Sequence, residues 1–280
     1  MPGSQPVIRR LAVLTLALLA LLAPVAVGQT RKVVADGHID MGPRFVDGKW
    51  TVQIRDDTVS PAVWRDLSDV VVQVPDVAKT QIPTDPVYGF LGQAGSPVWL
   101  LPQVQRPGVV WPGWNTQDPE VVAKVGKEVT WRLAGVRGPG TFKLFVSGNF
   151  GAPEVIFDSA KPYPQETGVE SNTHVHGNWA FSAPGTYLLD VEMTGTANDG
   201  KALADRRTLR MHVGDERPES AFDIPATSSA PSLQEKPAAE STPVAQPVEA
   251  QANPWVWVAG AVGVLGLVVV LLVLRRRARG

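Results

Sequence analysis

Four histidines occur in the chain, and three of them stand in short alternating motifs. In Asp36-Gly37-His38-Ile39-Asp40-Met41, the polar pair His38 and Asp40 alternates with the apolar pair Ile39 and Met41. In His174-Val175-His176-Gly177-Asn178-Trp179-Ala180-Phe181, the residues Val175, Trp179 and Phe181 take the apolar phase. His174, His176 and Asn178 take the polar one. On a β-strand, residues i and i+2 share a face, roughly 6.5–7 Å apart along the backbone. H-x-D and H-x-H therefore each set two ligand-type side chains side by side, within reach of one ion.

Cysteine is absent, which excludes disulfides, thiol nucleophiles and thiolate metal sites. A site of His38, Asp40, His174 and His176 has only N and O donors. Three His and one Asp suit tetrahedral Zn²⁺, while added carboxylate or water donors favour Mn²⁺. The four form one site only if His38 folds close to His174 and His176. Secondary candidates for ligand contact are Asn178 and His212. The latter sits beside Arg210 in a terminal strand pattern and reads as a solvated surface residue.

Aromatic residues offer a second chemistry. Trp111-Pro112-Gly113-Trp114 reads as a Pro/Gly-rich loop. Trp111 and Trp114 there either stack on a sugar ring or flat ligand, or plug the end of a sandwich, since Trp buries a large area. A flat cofactor such as haem, gripped between Trp and His side chains, is a third option. Enzyme signatures are missing: there is no G-x-S-x-G, no H-E-x-x-H and no phosphate-binding Gly loop before a helix. The adjacent acids Asp56 and Asp57 read as solvated residues at a strand end. The chain reads as a binding protein, not an enzyme.

The elements that must position these residues are strands. Trp50, Val52 and Ile54 alternate with polar neighbours, as do Val129, Trp131 and Leu133. The same holds for Phe142, Leu144 and Val146, for Tyr187, Leu189, Val191 and Met193, and for Leu209, Met211 and Val213. This period of two marks half-buried strands. Asp47-Gly48, Gly138-Pro139-Gly140, Pro184-Gly185 and Asn198-Asp199-Gly200 punctuate them as turns. The pattern predicts an all-β, immunoglobulin-like antiparallel β-sandwich over 29–214. About 120–214 has the rhythm of one immunoglobulin-like module, and the Pro-rich 57–118 reads as long loops with a few strands. Trp50, Trp131 and Trp179 fall in core phase.

The two ends carry membrane signals. Arg9 and Arg10 precede an apolar stretch and small residues at 26–28, which predicts a signal peptide over 1–28. Residues 254–274 read as a single transmembrane helix, with Trp255 and Trp257 at its outer interface. The basic tail 275–280, with Arg275, Arg276, Arg277 and Arg279, marks the cytoplasmic side. Between fold and span, 215–253 reads as a disordered Pro/Ala/Glu-rich stalk. The expected setting is the cell membrane, single-pass, with an extracellular N-terminal domain. The folded region carries 18 bases against 20 acids, which argues against a nucleic-acid partner.

Several stretches together resemble a known group. They are D-G-H-I-D-M-G at 36–42, D-G-K-W at 47–50, V-W-L-L-P-Q at 98–103 and W-P-G-W at 111–114. G-V-R-G-P-G at 135–140, S-G-N-F-G at 147–151 and H-V-H-G-N-W-A-F-S-A-P-G-T-Y at 174–187 come next in order. These resemble the actinobacterial surface-anchored proteins of the choice-of-anchor M type, over nearly all of 33–214. The resemblance implies a neighbouring ABC transporter of the metal-uptake type. It also implies a role in capturing a metal, or a metal-bearing ligand, at the surface. The alternative expectation is a structural or adhesive module that binds cell-wall glycan or protein through Trp111 and Trp114.

Overall fold

The computed structural model describes residues 30–148 and 152–226. The expected signal peptide, the stalk beyond 226, the membrane helix and the basic tail lie outside the described residues. Among the described residues, no helix is long and apolar enough to cross a membrane.

The alternating stretches form three sheets. In the first, the strands lie in the order Lys32–Val34 (β1), Val70–Val74 (β5), Ala202–Val213 (β16), Gly185–Thr196 (β15), Glu128–Arg137 (β9) and Gln165–Glu170 (β12). The second runs Pro153–Asp158 (β11), Phe142–Ser147 (β10), Asn178–Phe181 (β14), Pro97–Leu101 (β7) and Lys79–Gln81 (β6). The third runs His174–His176 (β13), Val110–Asn115 (β8), Gly37–Val46 (β2), Lys49–Asp56 (β3) and Val63–Asp66 (β4). One short helix, Pro119–Lys124 (α1), follows β8, with the Asp118 carboxylate accepting from the Glu120 and Val121 amides at its start.

An all-β architecture of packed sheets is thus present, with two departures from expectation. Three pairings are parallel rather than antiparallel: β1 with β5, β5 with β16, and β2 with β8. The stretch 57–118 is not mainly loop, because β4 to β8 contribute to all three sheets. The 120–214 stretch accordingly does not complete its own sheets. Its strand β16 continues into β5 and β1, and β14 continues into β7 and β6.

Trp131 explains why three sheets make one core. It is 1 % exposed. Its ring centroid lies 5.2 Å from that of Trp114 in the third sheet, and 4.9 Å from Phe157 and 6.1 Å from Trp179 in the second. Trp50 reaches across in the other direction, its indole N–H donating to the Met193 carbonyl at 2.9 Å. All three tryptophans placed in core phase by the sequence are buried.

Turn chemistry fits the strand spacing. Asp47 and Gly48 both have positive φ, 49° and 73°, as a tight two-residue hairpin turn needs. At the Pro184-Gly185 turn the Tyr187 hydroxyl donates back to the Ala183 carbonyl at 2.9 Å, much like the tyrosine corner of Greek-key sandwiches.

The folded unit also extends past 214. Pro218–Asp223 forms a 3-10 turn against β16. Arg210 is buried and needs acceptors, and its Nε donates to the Ala221 carbonyl at 3.1 Å. The Arg31 guanidinium sits over the Phe222 ring. Residues 215–226, expected to begin a stalk, instead pack on the folded body. Removing the Trp131 side chain should lower stability by about 3–5 kcal/mol. Removing only the Tyr187 hydroxyl should cost about 1–2 kcal/mol. Urea unfolding of Trp131→Ala and Tyr187→Phe against the parent checks both.

Candidate metal site

Three adjacent strands of the third sheet build the site. Strands β13 and β2 flank β8, and their register is specific. His176 lies opposite Gly113, and Gly113 lies opposite Asp40, so the three form a row across the sheet. One step along, His38 lies opposite Trp111. One step the other way, His174 lies opposite Asn115. Ile39, Met41, Val110 and Trp114 alternate onto the opposite face and are buried in the core. The expected phases of H-x-D and H-x-H are both present.

The two motifs converge. His38 Nε2 lies 3.2 Å from His176 Nε2 and 3.4 Å from His174 Nε2, and His174 and His176 are 3.0 Å apart at the same atoms. Asp40 Oδ1 lies 2.9 Å from His174 Nε2 and 3.4 Å from His38 Nε2. One donor atom from each of the four residues falls within 4.8 Å of every other. The four candidate ligands thus form a single cluster that could hold a metal ion.

Two of the donors, His38 and Asp40, are oriented by a further hydrogen-bonding group. His38 Nδ1 lies 2.8 Å from Asp57 Oδ2. A carboxylate accepts, so Nδ1 carries the proton and Nε2 presents its lone pair to the cluster. Asp57 is itself held by Arg55 at 3.2 Å, and its amide donates to the His38 carbonyl. The reading of Asp56 and Asp57 as solvated acids fails for both. Asp56 is fully buried and accepts from Arg65 Nε at 2.7 Å. The signal that could have found Asp57 is the Asp47-Gly48 hairpin, whose register brings the end of β3 beside His38.

Asp40 is fully buried. Burial pushes its carboxyl up, but the protonated form of His38 and the Asn115 amide, both donating to it, more than offset this and hold it below the usual carboxylate range. The Asn115 amide donates to Asp40 Oδ2 at 3.2 Å, which leaves Oδ1 facing the imidazoles. His38 is raised above the ordinary histidine value, first by the hydrogen bond that its protonated ring gives to Asp40, with burial opposing and Asp57 adding. His176 is pushed down to about 4, first by burial. Asp40 and the Pro112 carbonyl oppose this, and the His174 and His38 charges reinforce it.

The W-P-G-W segment is strand β8 and not a loop. Trp111 stacks on His176, with centroids 3.6 Å apart and planes 9° from parallel. At that spacing no flat cofactor fits between these two rings. Trp111 Nε1 donates to the Gln103 carbonyl. Trp114 is 5 % exposed and belongs to the core, not to a ligand surface. Gly113 is a site residue that carries no ligand chemistry of its own, so its type gave no signal. A Cβ there would sit within contact distance of Asp40 Oδ1, 2.8 Å from His176 Cε1 and 2.9 Å from the Val175 carbonyl.

Two secondary candidates do not join the site. Asn178 lies past Gly177, where the chain leaves the third sheet for the second, so the alternation from His176 is broken. It is buried, accepts from the Gln103 amide at 2.9 Å and donates to the Gln103 side chain. His212 is on β16 in another sheet and is 6 % exposed rather than solvated. Burial lowers its pKa, and its Nδ1 is 2.9 Å from the Thr186 hydroxyl.

Comparison of the chain with models of protein families, with curated proteins and with solved structures finds no match.

In the metal-free protein the imidazoles should titrate apart. Proton-detected NMR should show His38 titrating above 6.5 and His176 near 4. Asp57→Asn should retain the fold and weaken Zn²⁺ binding about 10–100-fold, by loss of the group that orients His38. Gly113→Ala should weaken it as well, by filling the space between Asp40 and His176. Calorimetry on both variants measures the effect.

Proposed function

We propose that this protein is a membrane-anchored extracellular binding protein. It captures a divalent transition metal, Zn²⁺ or Mn²⁺, or a ligand bearing one, as an accessory to a metal-type ABC importer. One observation carries the metal reading: five of the six separations among three imidazole Nε2 atoms and one carboxylate oxygen are 2.9–3.4 Å. Each Nε2 carries at most one proton, and that of His38 carries none while Nδ1 donates to Asp57, so the five contacts cannot all be hydrogen bonds at once. A cation at the centre would accept a lone pair from every donor together. The supporting shell is of the kind metal sites use, with a carboxylate on the far nitrogen of one histidine and an amide on the ligand carboxylate.

The surface setting rests on the sequence. The expected signal peptide and membrane span place the domain outside the cell, and the motif order resembles the choice-of-anchor M proteins. No enzymatic role is proposed. The glycan-binding alternative is less well supported in its Trp loop, since Trp114 is in the core and Trp111 lies against His176.

Calorimetry of the purified protein with Zn²⁺ and with Mn²⁺ tests the reading. Binding should follow one-site behaviour, and His174→Ala combined with His176→Ala should abolish it. Affinity should begin to fall as the pH drops through the raised His38 value, above 6.5, because protons compete for the imidazole lone pairs. His38, raised above its ordinary value, is the first of the shifted pair to take a proton. Unchanged binding in the double variant would remove the site from consideration.

A further inference from the structure

The distances among the donors constrain the geometry of the ion, provided that the metal reading above holds. Four donors define six edges. Five of them are short: 2.9, 3.0, 3.2, 3.4 and 3.4 Å. The sixth, between His176 and Asp40, is different. It is too long to be an ion pair, unlike the contacts of His38 and His174 with the same carboxylate, yet it stays within 4.8 Å.

A tetrahedral ion with bonds of about 2.0–2.1 Å has six equal edges of about 3.3 Å. An octahedral ion with similar bonds has adjacent donors about 3.0 Å apart and opposite donors about 4.2 Å apart. Five short edges and one long edge match four positions of the second figure, or of a trigonal bipyramid, with His176 and Asp40 opposite each other. The sheet supplies the reason. His176 and Asp40 stand on either side of Gly113, two strands apart in one row, so they reach toward the centre from opposite sides. His38 and His174 enter from the neighbouring rows.

We infer that the site holds its metal with a coordination number of five or six, His176 and Asp40 being opposite ligands. The positions facing His38 and His174 are left for water or for a small oxygen-donor ligand. Mn²⁺ and other divalent ions that accept five or six N/O donors fit this cage better than four-coordinate zinc. The open positions would let a metal carrying a carboxylate ligand bind without first losing it. His174 and His38 keep 33 % and 20 % of their side-chain surface exposed, so solvent reaches that side of the cluster.

Cobalt(II) is the probe, because its visible bands are intense when tetrahedral and weak when five- or six-coordinate. The protein is loaded with Co²⁺, freed of excess metal by desalting, and titrated with acetate. Weak bands that shift as acetate binds are the expected result. Intense tetrahedral bands, or bands that acetate leaves unchanged, would overturn the inference while leaving a metal site in place. Failure to retain any Co²⁺ would instead strike at the metal reading itself.

Discussion

The missing side chain at Gly113 is the constraint on which the site depends. Strand β8 runs between the two ligand-bearing strands, and its residue at the level of His176 and Asp40 must contribute no atoms above the sheet. A Cβ there would meet the carboxylate, the imidazole and the Val175 carbonyl together. The next outward residues of the same strand do contribute. Trp111 covers His176, and Asn115 anchors Asp40. One short segment thus provides a wall, a gap and an anchor at alternate positions, while Trp114 on its other face packs against Trp131. Because the ligands stand on strands and not on loops, their separation is set by sheet spacing and pairing register.

Gly177 couples this geometry to the core. Immediately after His176 the chain leaves the third sheet and enters the second as β14. A Cβ at Gly177 would lie 2.9 Å from Leu144 Cδ1 and 3.1 Å from the Trp114 ring. The crossing therefore runs tightly over the same tryptophan that fixes β8. Trp179, two residues on, is 2 % exposed and packs near Trp131. The two histidines of the edge strand are held at one end by pairing with β8 and at the other by burial of Trp179. This explains how a three-residue strand can place two ligands.

Much of this was legible in the residues. The period of two in 36–41 and 174–176 gave the correct faces, and the absence of cysteine restricted the donors to N and O. Sequence could not show that segments 136 residues apart meet, because that depends on the parallel pairing of β2 with β8. Parallel pairing leaves no hairpin signal in the chain. W-P-G-W looked like a loop for a related reason, since proline and glycine usually break strands. Here Gly113 is required by the donors above it. Asn178 falls outside the site because alternation counts faces correctly only within one sheet, and Gly177 changes sheets.

His212 serves as an internal comparison for the cluster. It is a buried histidine with one hydroxyl partner and a pKa lowered by burial, the ordinary fate of an imidazole inside a protein. His38, His174 and His176 differ in kind. Their Nε2 atoms face one another, one ring is raised by a carboxylate and another is driven down to about 4 by burial and by its neighbours. Protons alone resolve such a cluster poorly, because each one added burdens the next. A single divalent ion could draw on all four donors at once, with the buried Asp40 supplying part of the countercharge. Three imidazoles and a buried carboxylate gathered this closely have the chemistry of a cation site, which is what the proposed function rests on.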